Sequence, residues 1–143
     1  MSRVLILGTG LGGLEVTTRL SASLSGEAQV TLIDGSDSLF LDFSKLDVLL
    51  GRCAADRVLL PSKALAPPGV EFRQELITAT DAKHRHVRTE NGSYEADFLV
   101  IAQDAEYEPT ATAGFIEDGY YYFTVAGAER LRDALASFEG GPE

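Results

Sequence analysis

Cys53 is the sole cysteine among 143 residues, which excludes an internal disulfide and any cysteine-based zinc site and fits a reducing compartment. No apolar run approaches the roughly 18 residues of a membrane span. Basic residues are scarce as well: 12 Lys and Arg stand against 22 Asp and Glu, for a formal charge of −10. With a pI of about 4.6 and no basic stripe, such a surface repels nucleic acid and anionic membrane. The first apolar run begins at Arg3 or Val4, leaving no room for a signal peptide, so a cytoplasmic location is expected. Internal repeats, low-complexity tracts and a G-x-S-x-G elbow are also missing. What remains is ordinary globular composition, 45% hydrophobic and 24% charged, at a length expected to form one domain over residues 1–143.

The most informative stretch runs from Arg3 to Asp34. Val4-Leu5-Ile6-Leu7 is a continuous apolar run of the kind that forms a parallel strand buried on both faces. It leads into Gly8-Thr9-Gly10-Leu11-Gly12-Gly13, which satisfies G-x-G-x-x-G with an additional glycine. Gly8 permits a tight strand-to-helix turn, Gly10 lets backbone approach a pyrophosphate, and Gly13 lets the helix pack on the strand. A diphosphate then sits on the positive end of a helix. Leu14, Thr17, Leu20 and Leu24 recur at helical spacing up to a stop at Ser25-Gly26. Val30-Thr31-Leu32-Ile33 reads as a second strand, and Asp34 closes it about 20 residues past the last glycine, where a carboxylate accepts hydrogen bonds from an adenosine ribose. Gly35-Ser36 follows without an arginine, which argues against a 2′-phosphate ligand.

Leu39 to Gly51 reads as a turn and a short helix with Leu46, Leu49 and Leu50 facing inward. Arg52 to Lys63 has no clear period, and Pro67-Pro68-Gly69 is a firm break. Val70-Glu71-Phe72 and Leu76 to Thr80 look like strands. Val87 to Thr89 and Tyr94 to Ala96, around Asn91-Gly92, signal a hairpin with a type I′ turn. Leu76 to Ala96 is therefore expected as a small antiparallel β-meander where a plain nucleotide fold would place a helix. Phe98 to Ala102 repeats the buried-strand signature. Gln103 to Gly119 reads as polar loop and Tyr120 to Phe123 as a short final strand. A helix capped by Thr124 follows, with Ala128, Leu131, Leu135 and Phe138 on one stripe, ended by Gly140-Gly141-Pro142. The fold class is thus α/β: a Rossmann-like FAD/NAD(P)-binding fold, a parallel sheet with a small antiparallel β-meander crossover.

Catalytic and metal constellations are set aside. Cys53 is the sole thiol, and a dithiol mechanism needs two. His84 and His86 lack a third ligand at close spacing and, among Lys83, Arg85 and Arg88, read as a solvated turn.

VLILGTGLGGLE with VTLID, a phenylalanine-bearing loop and helix from Phe40 to Arg52, GVEF at Gly69 to Phe72, a meander, and DFLVIA at Asp97 to Ala102 together cover essentially the whole chain. In these motifs it resembles the N-terminal FAD-binding part of the FAD-dependent pyridine nucleotide-disulfide oxidoreductase superfamily, in particular sulfide:quinone oxidoreductases and type II NADH dehydrogenases. The resemblance implies that FAD is the cofactor, with its pyrophosphate on the loop Gly8, Gly10, Leu11, Gly12 and Gly13 and its ribose on Asp34. It also implies that backbone near Ile77 meets the adenine and that Ala102 lies beside the cofactor. Gln103-Asp104 departs from the family's Thr-Gly or Leu-Gly, and a side chain at Asp104 is expected to crowd the cofactor and repel its phosphates. The family's NAD-binding domain and returning last strand have no counterpart in these residues. The sheet is therefore expected to expose an apolar edge or face and to self-associate or accept a second chain or domain.

These readings lead to an FAD-binding domain of a flavin-dependent oxidoreductase, with little catalysis from this chain alone. The alternative is a non-catalytic nucleotide-binding or scaffold module that kept the fold and lost the flavin. An NAD-binding domain of a dehydrogenase is disfavoured by the meander.

Overall fold

A computed structural model describes residues 1–24, 26–40, 43–105 and 107–141. Ser25 at the expected helix stop, Leu41-Asp42 in the phenylalanine-bearing loop, Glu106 and the terminal Pro142 lie outside the described residues. The chain divides into two compact units, residues 1–39 with 60–105 and residues 40–59 with 106–143.

The first unit is built on a four-stranded parallel sheet ordered β5-β2-β1-β9, with β1 at Ser2–Leu7, β2 at Ala28–Asp34, β5 at Val70–Gln74 and β9 at Phe98–Ile101. Helix α1, Leu11–Ser23, makes the crossover from β1 to β2. Alternation along β1 divides its side chains between two cores. Val4 and Ile6 join Val30 and Leu32 under Leu14, Val16 and Leu20 of α1. Leu5 and Leu7 join Ile33 against Val87 and Ala96 on the opposite face. Ile6, Leu7, Leu32 and Ile33 are fully buried, each worth about 1.5–3 kcal/mol, so β1 and β2 form the rigid centre of this unit.

The second face is covered by an antiparallel meander of β6 (Ile77–Asp81), β7 (His86–Thr89) and β8 (Ser93–Glu95), which carries the chain from β5 to β9. The expected hairpin is present, but its turn is not type I′, because neither Asn91 nor Gly92 has a positive φ. Thr89 N donates to Gly92 O at 2.8 Å, which places Glu90-Asn91 at the turn's centre and moves the Asn-Gly pair one place along. The Thr89 hydroxyl accepts from Gly92 N at 3.2 Å and so supplies part of the turn's closure. In the β6–β7 turn, Arg85 takes the left-handed conformation at φ 55°. His84 sits in that turn, exposed, with its N donating to Asp81 Oδ1 at 3.0 Å.

Strand β9 departs from the double-sided burial its composition suggests. It lies at the sheet edge, and Phe98 and Ile101 are 60% and 54% exposed. A run of apolar residues reads the same whether the strand is central or marginal, and only the topology distinguishes the two. Two short pieces, β3 (Ser38–Phe40) and β4 (Leu59–Pro61), pair where the chain leaves the first unit and returns to it. Helix α3, Ser62–Leu65, begins directly after Pro61.

In the second unit α2 (Ser44–Leu49) packs on α5 (Val125–Ala136), with Val48 and Ala128 fully buried. Val48 occupies the inward position expected of its leucine neighbours, and Leu46 and Leu50 face outward. Thr124 caps α5 as its sequence predicts, accepting from Gly127 N at 3.0 Å. Beyond Leu131 the stripe runs off the packed surface, leaving Leu135 and Phe138 exposed. Tyr120 to Phe123 is not a strand; instead Phe123 stacks on Tyr107 at 5.4 Å between ring centroids and Tyr121 packs on it, tilted, at 5.0 Å. The expected loop before it contains a 3-10 turn at Pro109–Ala111 and the short helix α4, Phe115–Asp118.

Candidate functional site

Strand β1 ends at Leu7, and the chain turns at Gly8 with φ +101° while Gly8 N donates to Ile33 O at 2.8 Å. A Cβ at Gly8 would stand 2.5 Å from the carbonyl oxygen of Ala102, so backbone of the β9 exit occupies the space a side chain would need. At Gly13 a Cβ would run into the Gly8 carbonyl oxygen, and its absence seats the first turn of α1 on the end of β1.

Gly10 precedes α1 and provides no side-chain cap. The first bond of the helix is Leu14 N to Gly10 O at 3.0 Å, so the N–H groups of Leu11, Gly12 and Gly13 precede the intrahelical ladder. Their shared direction and the helix dipole make this end favourable for an anion, with roughly half a positive charge at the terminus.

Around this end lies an open cleft of about 430 Å³, lined by Gly8, Thr9 and Gly10 from the loop, Asp34 to Ser36 from the end of β2, Ser38 and Leu39 from β3, Leu76 and Ile77 from the start of the meander, and Ala102 to Asp104 after β9. Of the residues singled out in sequence, Gly8, Gly10, Asp34, Ile77 and Ala102 meet there. Leu11, Gly12 and Gly13 lie in the adjoining first turn of α1 and do not line the cleft. Gly13 is buried, and a Cβ at Gly12 would meet nothing within 4 Å.

Asp34 is already engaged. Its Oδ2 accepts from Thr9 N at 2.5 Å and from Thr9 Oγ1 at 2.8 Å, and its Oδ1 accepts from Ser36 N at 2.8 Å. A carboxylate has about four acceptor positions. Three are used here, and the remaining one on Oδ1 is free for a hydroxyl in the cleft. The other carboxylate of the cleft belongs to Asp104, whose Oδ2 lies 3.9 Å from where Gly10 would carry a Cβ. The lining includes no lysine or arginine among the described residues, so an anion entering it would have backbone N–H groups to hold it and two carboxylates against it.

Sequence reading missed Thr9, Gly35, Ser36 and Leu76. Thr9 is a polar residue in the x position of G-x-G, and Ser36 follows Asp34 at the spacing of an Asx turn; both signals are local and readable. Leu76 had none, because its place in the cleft depends on packing across the crossover, where its Cα comes within 3.5 Å of a Cβ at Gly35.

A strand, a glycine loop, a helix and a second strand ending in an acid, with a meander carrying the chain to the last parallel strand, define a Rossmann-like dinucleotide-binding domain. No protein-family model matches the chain. It is 28% identical over 147 aligned positions to the type II NADH:quinone oxidoreductase of Staphylococcus aureus, covering 99% of this chain and 37% of that protein. The sulfide:quinone oxidoreductase of Aquifex aeolicus superposes with a TM-score of 0.81 at 21% identity, over 95% of this chain and 32% of that one. A ferredoxin reductase from Rhodopseudomonas palustris gives 0.70 at 21% identity, over 95% and 35%. The chain thus has the fold of these oxidoreductases' dinucleotide-binding part and is similar to them in sequence, spanning about a third of the length of the relatives it matches.

Proposed function

We propose that residues 1–143 form the FAD-binding domain of a flavin-dependent oxidoreductase that takes electrons from NADH or sulfide and passes them to a quinone, with little catalysis from this chain by itself. The observation that carries this reading is the single cleft that gathers Gly8, Gly10, Asp34, Ile77 and Ala102 from four separated segments. Gly8 and Gly13 let the loop turn and seat closely on neighbouring backbone, the bare backbone at Gly10 leaves room for a diphosphate, and Asp34 keeps an acceptor position for a ribose hydroxyl. Leu76 and Ile77 offer apolar surface for an adenine, and the free N–H groups of the first turn of α1 would favour its phosphates. Bound FAD would supply hydride acceptance and electron delivery to an acceptor. This chain's residues bind and orient the adenosine diphosphate portion, and the sole cysteine fits a cytoplasmic location. No helix among the described residues is long and apolar enough to cross a membrane. Self-association, or cover by a second chain or domain, is part of the proposal, because β9 leaves Phe98 and Ile101 exposed at the sheet edge.

A second reading, a nucleotide-binding or scaffold module that lost the flavin, is favoured by the Asp104 carboxylate beside Gly10. Titration of the purified apo-chain with FAD, followed by flavin fluorescence beside Asp104→Gly, separates the two. Tight binding by both supports a working flavin domain. Binding only by the variant means that Asp104 disabled an FAD site, and binding by neither sinks the flavin reading.

A further inference from the structure

We infer that Glu75 is a positioning residue that sets the base-recognition end of the cleft by anchoring the Leu76–Ile77 strap to the meander. The inference rests on the reading of the cleft as an adenine dinucleotide site and deepens it.

Glu75 stands where the chain leaves the parallel sheet. Its N donates to Asp34 O at 3.0 Å, and its carbonyl oxygen lies 3.8 Å from where Gly35 would carry a Cβ, so its backbone is seated on the same Asp34-Gly35 corner that lines the cleft. The side chain is only 7% exposed. One carboxylate oxygen accepts from Thr89 Oγ1 at 2.6 Å and the other from Tyr94 OH at 2.7 Å. Thr89 belongs to β7, the central strand of the meander, and Tyr94 to β8 at its edge, so one carboxylate ties both strands to the start of the strap.

The next residue is held as well. Leu76 N donates to Glu90 Oε1 at 3.2 Å, and Glu90 N donates back to Leu76 O at 3.0 Å. The Leu76 side chain then rests on Gly35, with Cδ1 3.5 Å from the Cβ position there. Leu76 and Ile77 contribute apolar lining to the cleft from a segment far from the glycine loop in sequence, and Asp34 hydrogen-bonds Thr9 of that loop.

An acceptor-only group suits this place, because both partners are hydroxyl donors and a neutral amide could accept from only one of them in the same geometry. The Thr89 hydrogen bond, foremost, holds the Glu75 carboxyl below its ordinary value of 4.5, so the group is ionised near neutrality. The charged and titratable groups around it are Tyr94 on β8, Glu90 in the hairpin turn, and Arg73 on β5, which is itself ion-paired with Glu71. Losing the anchor leaves the half-buried Tyr94 hydroxyl without its acceptor and the Thr89 hydroxyl with only Gly92 O at 3.3 Å, and it frees the strap, while the glycine loop and the Thr9–Asp34 pair stay as they are.

The test compares adenosine diphosphate with uridine diphosphate by calorimetry. The two share ribose and diphosphate, so contributions from the helix end and Asp34 cancel in the ratio and the base contribution remains. The expected result is a preference for the adenine nucleotide in the unaltered chain. Glu75→Ala should lower that preference roughly tenfold, the worth of a lost hydrogen bond to a charged group, with uridine diphosphate affinity unchanged. Glu75→Gln should recover part of it. Tyr94→Phe, which removes one donor and little volume, should give an intermediate loss and covers the case in which Glu75→Ala does not fold. An unchanged ratio in these variants, or a parallel loss of both nucleotides, overturns the inference and leaves the site reading standing. Failure of the unaltered chain to bind either nucleotide overturns both.

Discussion

Thr9 donates twice to one oxygen of Asp34, through its backbone N at 2.5 Å and its hydroxyl at 2.8 Å. The glycine loop and the end of β2 are thereby joined before any ligand arrives, and Thr9 is only 2% exposed. An acid whose rotamer is already held loses less entropy when a ribose binds. Thr9→Val, which keeps the volume and removes the hydroxyl, is expected to cost about 1–2 kcal/mol in thermal unfolding, whereas Thr9→Ser should be nearly neutral. The same Val variant should weaken adenosine diphosphate binding severalfold by calorimetry.

Asp104 acts on the opposite side of the loop. Two unit negative charges at about 4 Å repel by about 1 kcal/mol in water and about 4 kcal/mol at an effective dielectric near 20. With Asp104 Oδ2 beside Gly10, FAD affinity should rise about tenfold in Asp104→Asn, and the unaltered chain should bind more tightly as salt is added. A titration in which salt and the substitution both leave the affinity unchanged would remove Asp104 from the phosphate site.

Gly8 and Gly12 are four residues apart and should respond in opposite directions. Gly8→Ala places a Cβ against the Ala102 carbonyl at φ +101° and is expected to cost about 3 kcal/mol or more. Gly12→Ala enters open space in a helix and should stabilise by about 0.5–1 kcal/mol. If Gly12→Ala folds better yet binds FAD less well, ligand occupies the space above that turn; unfolding curves and fluorescence titration read the two effects separately.

Glu75 and Tyr94 predict the pH dependence of stability. Glu75 has its folded pKa lowered from 4.5 by the Thr89 hydrogen bond first, so its contribution is full above 4.5 and is lost as pH falls through the folded value. Tyr94 has its folded pKa raised from 10.0, by burial first and then by Glu75, so its contribution is full below 10.0 and is lost as pH rises through the folded value. Denaturant titrations across pH should show a shallower acid loss in Glu75→Gln and a shallower alkaline loss in Tyr94→Phe.

Phe98 is a direct test of the open edge. At 60% exposure on β9 it should contribute to association, and Phe98→Glu should shift the light-scattering mass downward at high concentration. A monomeric unaltered chain at the same concentration counts against association with itself.

Much of the site was legible because its signals are local. Gly8, Gly10 and Asp34 are specified by spacing within one strand-helix-strand unit, and Thr124 announced its cap the same way. Ile77 and Ala102 came from resemblance, and the cleft includes both. The turn at Asn91-Gly92 was misread because Thr89 closes it with its own side chain, a contact that no dipeptide rule contains.

The sequence by itself determined the parallel sheet, the helix after the glycine loop, the meander crossover and the acid at the end of β2, since apolar periodicity and glycine spacing act over a few residues. Only the tertiary structure decided that β9 is an edge with Phe98 open, that Val48 rather than Leu46 or Leu50 turns inward, and that Glu75 binds Thr89 and Tyr94. Each of these depends on which distant segment lies opposite, and residue type records an affinity for burial or for a donor without recording the partner.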